Sequence, residues 1–279
     1  YGRFNWGVVT LNLTDVALSS QGALEEFYKL LSERLEIIKE AHLIRYEYLK
    51  NAKSDVAPIL WQNGAIARLE PGETIGKLLV DKYSTVSVGY TGLYEAVRAL
   101  IGESHTTDEG RQLGLEILQF INDTTNRWVE EYNIRFSVYG SPIESLTSRF
   151  AATLQKRFGV IEGITEREYV TNSYHVHVTE DIDAFTKLKF EAPFQELTPG
   201  GAISYIEMPN MQKNIPAVLS LIDFIYENIQ YGELNTKADV CMECGFEGEI
   251  LINDDLEWYC PQCGNKDQDT MQVTRRTCG

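Results

Sequence analysis

Two kinds of apolar pattern alternate along the first 235 residues. Short β-branched or alternating runs predict strands, at 7–13, 82–90, 135–140, 169–178 and 202–208. Between them, apolar residues recur at spacings of three and four and predict helices, at 22–54, 92–102, 107–131, 144–158 and 214–229. Strands that alternate with helices indicate a parallel α/β arrangement, open or closed into a barrel. Roughly five such units are too few for a complete eight-unit barrel.

Composition and charge are typical of globular proteins and restrict the classes of partner that the chain is expected to bind. It has 279 residues, 43% hydrophobic and 24% charged, and a net charge of −16. Because phosphate binding relies on Lys and Arg, this acidic balance predicts no nucleic-acid partner. No apolar run is long enough to predict a membrane span. The chain starts at Tyr1 and stops at Gly279, and we expect both ends to be internal to a longer polypeptide.

Four of the five cysteines form the strongest motif. Cys241 and Cys244 are followed after fifteen residues by Cys260 and Cys263, so that two C-x2-C pairs flank ILINDDLEWY. Such spacing predicts a hairpin that brings two thiolate pairs into a tetrahedral Zn²⁺ site. Two disulfide-forming or reactive pairs are the alternative. Four thiolates fill the coordination sphere, so we expect the zinc to be structural.

A zinc ribbon also suggests nucleic-acid machinery, but the charge of this one disfavours it. Between positions 241 and 269 the only lysine or arginine is Lys266. The acidic residues there are Glu243, Glu247, Glu249, Asp254, Asp255, Glu257, Asp267 and Asp269. A surface of that sign repels phosphates.

The last four residues, Arg276-Thr277-Cys278-Gly279, resemble a glycyl-radical motif. Only glycine lacks the Cβ that would crowd a planar α-carbon radical. A four-cysteine ribbon directly before this motif is the C-terminal arrangement of anaerobic (class III) ribonucleoside-triphosphate reductases. Further stretches are similar to that family, namely VVTLNL at 8–13, SVGYTGLYEA at 87–96, GSPIESLTSRF at 140–150 and TNSYHVHV at 171–178.

The resemblance implies a fold and a set of domains. It implies the second half of a ten-stranded β/α barrel of the glycyl-radical enzyme and ribonucleotide reductase type. The barrel half would occupy residues 1–235, the zinc ribbon 236–269 and the truncated radical loop 270–279. It also implies a homodimer and a cytoplasmic location in an anaerobic or facultative bacterium or its phage.

The resemblance also implies the chemistry. An iron–sulfur/S-adenosylmethionine activating enzyme would abstract a hydrogen atom from Gly279. The radical would pass to a cysteine thiyl, which takes the 3′-hydrogen of a ribonucleoside triphosphate. That cysteine is expected in the missing N-terminal half of the subunit, because four cysteines here are assigned to zinc and Cys278, of uncertain role, adjoins the radical glycine. This chain alone is therefore expected to be inactive.

Several residues are candidates for binding the substrate. Asn12, at the end of a predicted strand, can hold a ribose hydroxyl, or it can simply bond the backbone. A predicted helix has Ser141 just before it and Glu144, Ser145 and Thr147 in its first turn. The free amides at a helix N-terminus can bind phosphates. The alternative is that these residues only cap the helix. His177 lies two residues after His175 on a predicted strand, so the two side chains are expected on the same face. Such a pair can bind a metal or carry protons, but histidines that are satisfied in the core or line a barrel are more common.

Two other functions compete with the reductase. A non-catalytic zinc-ribbon adaptor would use the α/β body as a binding module. Another glycyl-radical enzyme, of the formate-lyase type, would generally lack the ribbon.

Overall fold

The structure, a computed structural model, falls into two compact units. It describes residues 4–81, 83–140, 144–209, 211, 214–236, 238–253 and 255–274, without the side chain of Glu144. The first unit takes the described residues up to 180 and those at 190–202. The second takes 181–189 and the described residues from 203 onward.

Strands and helices alternate through the first unit. In chain order the elements up to residue 202 are β1 Asn5–Asn12, α1 Leu13–Ser19, α2 Leu24–Leu49, α3 Pro58–Trp61, β2 Thr85–Thr91, α4 Leu93–Ile101, α5 Asp108–Tyr132, β3 Arg135–Gly140, α6 Glu144–Phe158, α7 Ala184–Glu196 and β4 Gly201–Ala202. No helix in the described part of the chain is both long enough and apolar enough to cross a membrane.

A parallel sheet in the order β1-β2-β3-β4 forms the centre of the first unit. Val88 of β2 pairs with Val9 of β1 and with Val138 of β3. After its first residue, β2 is buried throughout, as expected for a central strand covered on both faces. Because the strands are parallel, β1, β2 and β3 end at the same edge of the sheet. Each is followed there by a helix.

Gly92 makes the tight turn from β2 into α4. Its φ of +77° lies in the left-handed region, and a Cβ built on it would stand 2.2 Å from Oγ1 of Thr14 in α1. The Thr14 hydroxyl donates to the Gly92 carbonyl at 3.2 Å. Only glycine permits both this backbone conformation and this close approach. Helix α1 therefore packs directly on the strand end that precedes α4.

The second unit combines a parallel strand pair with small antiparallel sheets. Its remaining elements are β5 Ser204–Met208, α8 Ile215–Asn228, β6 Gly232–Thr236, β7 Asp239–Cys241, β8 Phe246–Gly248, β9 Leu251–Ile252, β10 Trp258–Tyr259 and β11 Met271–Gln272. Strand β5 pairs in parallel with β6, across helix α8. Strands β11, β7 and β8 form an antiparallel sheet, and β9 and β10 form a hairpin.

The sequence predicted most of these elements. The predicted strand at 135–140 and helix at 144–158 have the bounds of β3 and α6. The hairpin between the cysteine pairs is also confirmed. The helix predicted at 22–54 is shorter, because α2 ends at Leu49. Helices α1 and α7 were not predicted.

The strand predicted at 169–178 is wrong. These residues form turns and extended segments, with a single isolated bridge between Asn172 and Thr91. Ser173 has a φ of +38°, which breaks any regular strand. From residue 171 to 177 every residue except Asn172 is buried. The polar alternation therefore does not mark a solvent face, and His175 and His177 do not share a strand face.

His42 connects α2 to the sheet as a buried neutral imidazole. Its Nε2 donates to the Ser87 carbonyl of β2 at 3.0 Å. Burial lowers the pKa of His42 from 6.5 to about 4, against the opposing effect of that hydrogen bond. The folded protein therefore binds fewer protons than the unfolded chain between these two pH values.

We expect His42→Gln to reduce the loss of stability in acid. With a lowered pKa in the fold, the stabilisation by His42 is complete above pH 6.5 and is lost as pH falls to about 4, by roughly 3 kcal/mol. Gln retains an N–H donor for Ser87 but does not titrate. Denaturant unfolding at pH 7 and pH 4.5 measures the difference. Equal acid destabilisation of wild type and variant would contradict this assignment.

Candidate functional site

Four cysteine side chains of the second unit converge on one point. The Sγ atoms of Cys241, Cys244, Cys260 and Cys263 all lie within 4.8 Å of one another. Two of the separations, Cys241 to Cys263 and Cys244 to Cys260, are 3.7 Å. A tetrahedron with metal–sulfur bonds of about 2.3 Å has edges of about 3.8 Å. The cluster therefore has the dimensions to hold one tetrahedral metal ion.

Each turn around the cluster has a glycine in the left-handed region. Gly245 and Gly264, which follow the second cysteine of each pair, have φ values of +72° and +73°. The Asn265 amide lies 3.6 Å from the Cys241 sulfur. Burial alone would raise the pKa of the Cys241 thiol, but this contact and backbone hydrogen bonds at Glu243 and Cys244 lower it to about 6. Burial and the neighbouring thiols raise the pKa of the Cys244 thiol to about 12, so only part of the cluster favours the thiolate form before a metal binds.

Asp239 joins the cluster to the last described residues. This carboxylate is fully buried at the start of β7. Its Oδ2 accepts from the Ile250 amide at 2.8 Å, and its Oδ1 accepts from the Thr274 amide at 3.0 Å. Ile250 precedes the hairpin between the cysteine pairs. One side chain therefore fixes both this hairpin and the point at which residues 275–279 begin.

The carboxyl edge of the parallel sheet forms a second candidate site. Asn12 ends β1, and its Oδ1 accepts from the Asp15 amide at 3.2 Å, which caps α1. Strand β3 ends at Gly140, and α6 begins at Glu144. Asn12 and residues of α6, including Arg149 and Thr153, line one pocket of about 440 Å³. Ligands of open α/β sheets bind at this edge.

Residues 171–177 cross the same edge, held by side chains. Thr91 Oγ1 and the Gly92 amide both donate to the Thr171 carbonyl at 2.8 Å. The Thr171 amide and hydroxyl both donate to Glu95 Oε1 at 2.7 Å. The Ser173 hydroxyl donates to the Gly140 carbonyl at 2.8 Å. These bonds connect the ends of β2 and β3 through a buried segment that is not a strand.

Further along the segment, two buried side chains hold its second half. Nε2 of His105 lies 3.2 Å from the Tyr174 carbonyl and 3.1 Å from the His175 carbonyl. The Val176 amide donates to Glu191 Oε1 at 3.2 Å. Burial lowers the pKa of His105 to about 4, so this imidazole is a neutral donor at physiological pH.

Glu95 is a buried carboxyl group with a raised pKa. It is 3% exposed, and Oε2 has no hydrogen-bond partner among the described residues. Burial raises its pKa to about 7, although the two bonds from Thr171 act in the opposite direction. Glu95 lines a pocket of about 170 Å³. The charged or titratable residues around this pocket are Tyr94, Arg98, Glu162, Glu166, Arg167, Tyr169 and His177.

His177 belongs to this smaller pocket. Its ring stacks on Tyr94 with centroids 4.3 Å apart. Its Nδ1 lies 2.7 Å from the Thr179 hydroxyl. Burial, followed by the charge of Arg167, lowers the pKa of His177. The imidazole is therefore neutral near pH 7.

The structure brings some of the predicted site residues together and separates others. Asn12 and helix α6 share the larger pocket, whereas His177 lines the smaller one. Ser145 is exposed and Thr147 half-buried in the first turns of α6. Ser141, Cys278 and Gly279 lie outside the described residues, as does the side chain of Glu144.

Sequence reasoning missed Glu95 and Thr171. The available signal was a single acidic residue within the apolar run GLYEAVRALI, immediately after a strand. An acid in such a run has to be paired or protonated when the helix packs. Its partner, Thr171, lies 76 residues further along the chain.

Fold and cluster together define an α/β protein with an appended four-cysteine module. A family model described as anaerobic ribonucleoside-triphosphate reductase matches residues 1–279. Anaerobic ribonucleoside-triphosphate reductases are similar over the whole chain: 41% identical from Haemophilus influenzae, 38% from Escherichia coli K12 and 37% from Enterobacteria phage T4. The alignments cover 40%, 39% and 45% of those proteins. This chain belongs to the anaerobic ribonucleoside-triphosphate reductase family.

Solved structures of such enzymes share its fold. The Thermotoga maritima anaerobic ribonucleotide reductase with glycerol in its active site matches with a TM-score of 0.67 and 24% identity. Another anaerobic ribonucleotide reductase matches with a TM-score of 0.70 and 23% identity. The two matches cover 93% of this chain, and 39% and 38% of those structures. The chain thus spans about 40% of the length of its curated relatives.

We expect Asp239→Ala to loosen both ends of the four-cysteine module. The buried Ile250 amide would lose its acceptor, which costs about 1–3 kcal/mol, and the part-buried Thr274 amide would lose its acceptor at a smaller cost. Hydrogen exchange at Ile250 and Thr274 should accelerate at least about tenfold. The Gly245 amide, which donates to the Cys241 carbonyl, is the internal control. Unchanged exchange at Ile250 and Thr274 would refute the role of Asp239.

Proposed function

We propose that this chain is the C-terminal part of the catalytic subunit of an anaerobic ribonucleoside-triphosphate reductase. The observation that carries the proposal is the family match along residues 1–279. The reaction would convert ribonucleoside triphosphates to 2′-deoxyribonucleoside triphosphates by glycyl and thiyl radical chemistry. The thiyl cysteine and the other half of the barrel would come from the rest of the subunit, which acts as a homodimer.

The proposed domains follow the sequence motifs. Residues 1–235 would form the second half of a ten-stranded barrel, 236–269 the zinc ribbon and 270–279 the radical loop. The parallel order of β1, β2 and β3 is compatible with one sector of a barrel wall.

Zn²⁺ fits the four-cysteine cluster by chemistry and by size. Cys241, Cys244, Cys260 and Cys263 supply four thiolates, and their separations suit tetrahedral coordination. Four protein ligands leave no position for water, so the ion would be structural. Its bonds to the thiolates would supply folding free energy to the module. The module in turn holds Thr274, from which the proposed radical loop continues.

The proposed radical residue is Gly279, and an iron–sulfur/S-adenosylmethionine activase would remove one of its α-hydrogen atoms. The support is the Arg276-Thr277-Cys278-Gly279 motif directly after a four-cysteine module.

For the substrate, we propose a site at the carboxyl edge of the sheet. The residues proposed to contact the triphosphate, through hydroxyls and the free amides of α6, are Ser141, Glu144, Ser145 and Thr147. Glu144 would be the weakest member, because its charge repels phosphate. Asn12 would contact the ribose: its Oδ1 caps α1, and its amide nitrogen is a donor. His177, neutral at the smaller pocket, would act as a lining residue.

Removal of one cysteine tests the role of zinc. In the full-length polypeptide, Cys260→Ala should lower the zinc content well below one ion per subunit, leave the α/β body folded and abolish radical formation. Loss of one of four ligands removes most of the binding free energy of such a site. Metal analysis, circular dichroism and electron paramagnetic resonance give the three readouts. Met242→Ala, an exposed residue in the same turn, is the matched control; a normal radical yield in zinc-free protein would contradict the prediction.

Gly279→Ala distinguishes the enzyme from the adaptor. After anaerobic activation the full-length wild type should show a doublet near the free-electron g value, split by the remaining α-hydrogen. The variant should show none and form no deoxyribonucleotide, because a Cβ crowds the planar radical.

Gly102→Ala is the glycine control for that experiment. It replaces another glycine at positive φ, where a Cβ meets no atom within 4 Å, so it should cost only about 1 kcal/mol of stability. Deoxyribonucleotide formation by Gly279→Ala would overturn the proposed function. A silent wild type, with an activase proven on another substrate, would favour the zinc-ribbon adaptor.

A further inference from the structure

We propose that Glu95 is a positioning residue of the substrate site. Its carboxyl group, acting through Thr171 and Ser173, fixes Gly140, the residue from which segment 141–147 departs. The inference rests on the proposed function, because it assigns that segment to the substrate phosphates. Glu95 shares the smaller pocket with His177, and its effect on segment 141–147 runs through other residues.

The first step is the connection between Glu95 and Thr171. Oε1 receives both the amide and the hydroxyl of Thr171 at 2.7 Å. Thr171 is 7% exposed, so water cannot readily replace the carboxyl group. Without Glu95, two buried donors would lose their acceptor. The Thr171 carbonyl is held separately by Thr91 and Gly92, so the loss would shift the segment without detaching it.

The second step runs from Thr171 to the end of β3. Two residues later, Ser173 donates its hydroxyl to the Gly140 carbonyl at 2.8 Å. Gly140 is packed so closely that an added Cβ would lie 3.0 Å from both Tyr174 and Thr198. A displacement of residues 171–174 therefore reaches Gly140 directly. Gly140 is the last residue before the segment proposed to bind phosphates.

The surroundings of Glu95 make this connection sensitive to protonation. Glu95 lines the smaller pocket. The other titratable or charged side chains there are Tyr94 and Arg98 of its own helix, Glu162, Glu166, Arg167, Tyr169 and His177. With its pKa raised by burial to about 7, Glu95 changes charge near neutral pH. A carboxylate accepts stronger hydrogen bonds than the neutral acid. Ionised Glu95 should therefore hold Thr171 more firmly.

Kinetics of the full-length activated enzyme test the proposal. Glu95→Ala should raise the KM for a ribonucleoside triphosphate about tenfold and leave kcat within about twofold, because a displaced phosphate site weakens ground-state and transition-state binding alike. Glu95→Gln retains the acceptor oxygen and should restore KM at pH 6. The Gly279 doublet should be unchanged in both variants.

The pH profile supplies a readout that general destabilisation would not move. Between pH 6 and pH 8 the wild-type KM should fall about fivefold more than that of Glu95→Gln, since only the wild type gains a carboxylate. Ionisation of the substrate triphosphate is common to both enzymes and cancels in the comparison. At pH 6, hydrogen exchange of the Thr171 amide should accelerate in Glu95→Ala but not in Glu95→Gln.

Thr124→Val is the matched control, because it removes a buried hydroxyl whose hydrogen bonds to described residues stay within α5: it donates to the Phe120 carbonyl and accepts from Arg127. If Glu95→Ala fails to fold, Thr171→Val removes one donor of the same pair and should raise KM by a smaller factor. An unchanged KM in these variants, or a KM shift equal to that of Thr124→Val, would overturn the proposal. No deoxyribonucleotide formation by the wild type would overturn the proposed function instead, and the amide exchange would still decide whether Glu95 holds Thr171.

Discussion

A buried backbone that is not part of a sheet needs hydrogen-bond partners from side chains, and this requirement shapes the first unit. Residues 171–177 cross the ends of β2 and β3, where strand pairing is limited to one bridge between Thr91 and Asn172. Their polar groups are instead met by Thr91, Glu95, His105 and Glu191. Each partner is itself buried, so each must suit its site in charge as well as geometry. This explains why the carboxyl edge of the sheet contains so many desolvated titratable groups.

The second unit is limited by the small size of its core. Its antiparallel strands are two or three residues long, and the described buried core of the cysteine module is Cys241, Ile250, Cys260 and Met271. So small a core contributes little free energy relative to the entropy of ordering the chain. A bound metal is the usual compensation for such a deficit. In this module Cys241 and Cys260 belong to the buried core, and together with Cys244 and Cys263 they could hold a metal ion.

How much of this could be predicted from the sequence depends on the range of the interaction involved. Strand β3, helix α6 and the four-cysteine cluster follow from local periodicity and local spacing, and their predictions were confirmed. The 169–178 segment was misassigned because its alternation of polar and apolar residues has the period of a strand. In the structure the polar members, such as Thr171 and His177, are buried as well. A period of two normally indicates that every second residue faces solvent, and in residues 171–177 neither set does.

The other limit on prediction was hydrogen bonding between residues that are far apart in the chain. Nothing local to Glu95 indicates Thr171, and nothing local to Asp239 indicates Thr274, because each pair is separated by dozens of residues. Yet both carboxyl groups are buried and each accepts two amide or hydroxyl donors. For Glu95 the segment that would be held is 141–147, reached through Ser173, and for Asp239 it is 275–279. The proposed radical chemistry would need segments held at fixed points, because a hydrogen atom transfers only between groups held in contact.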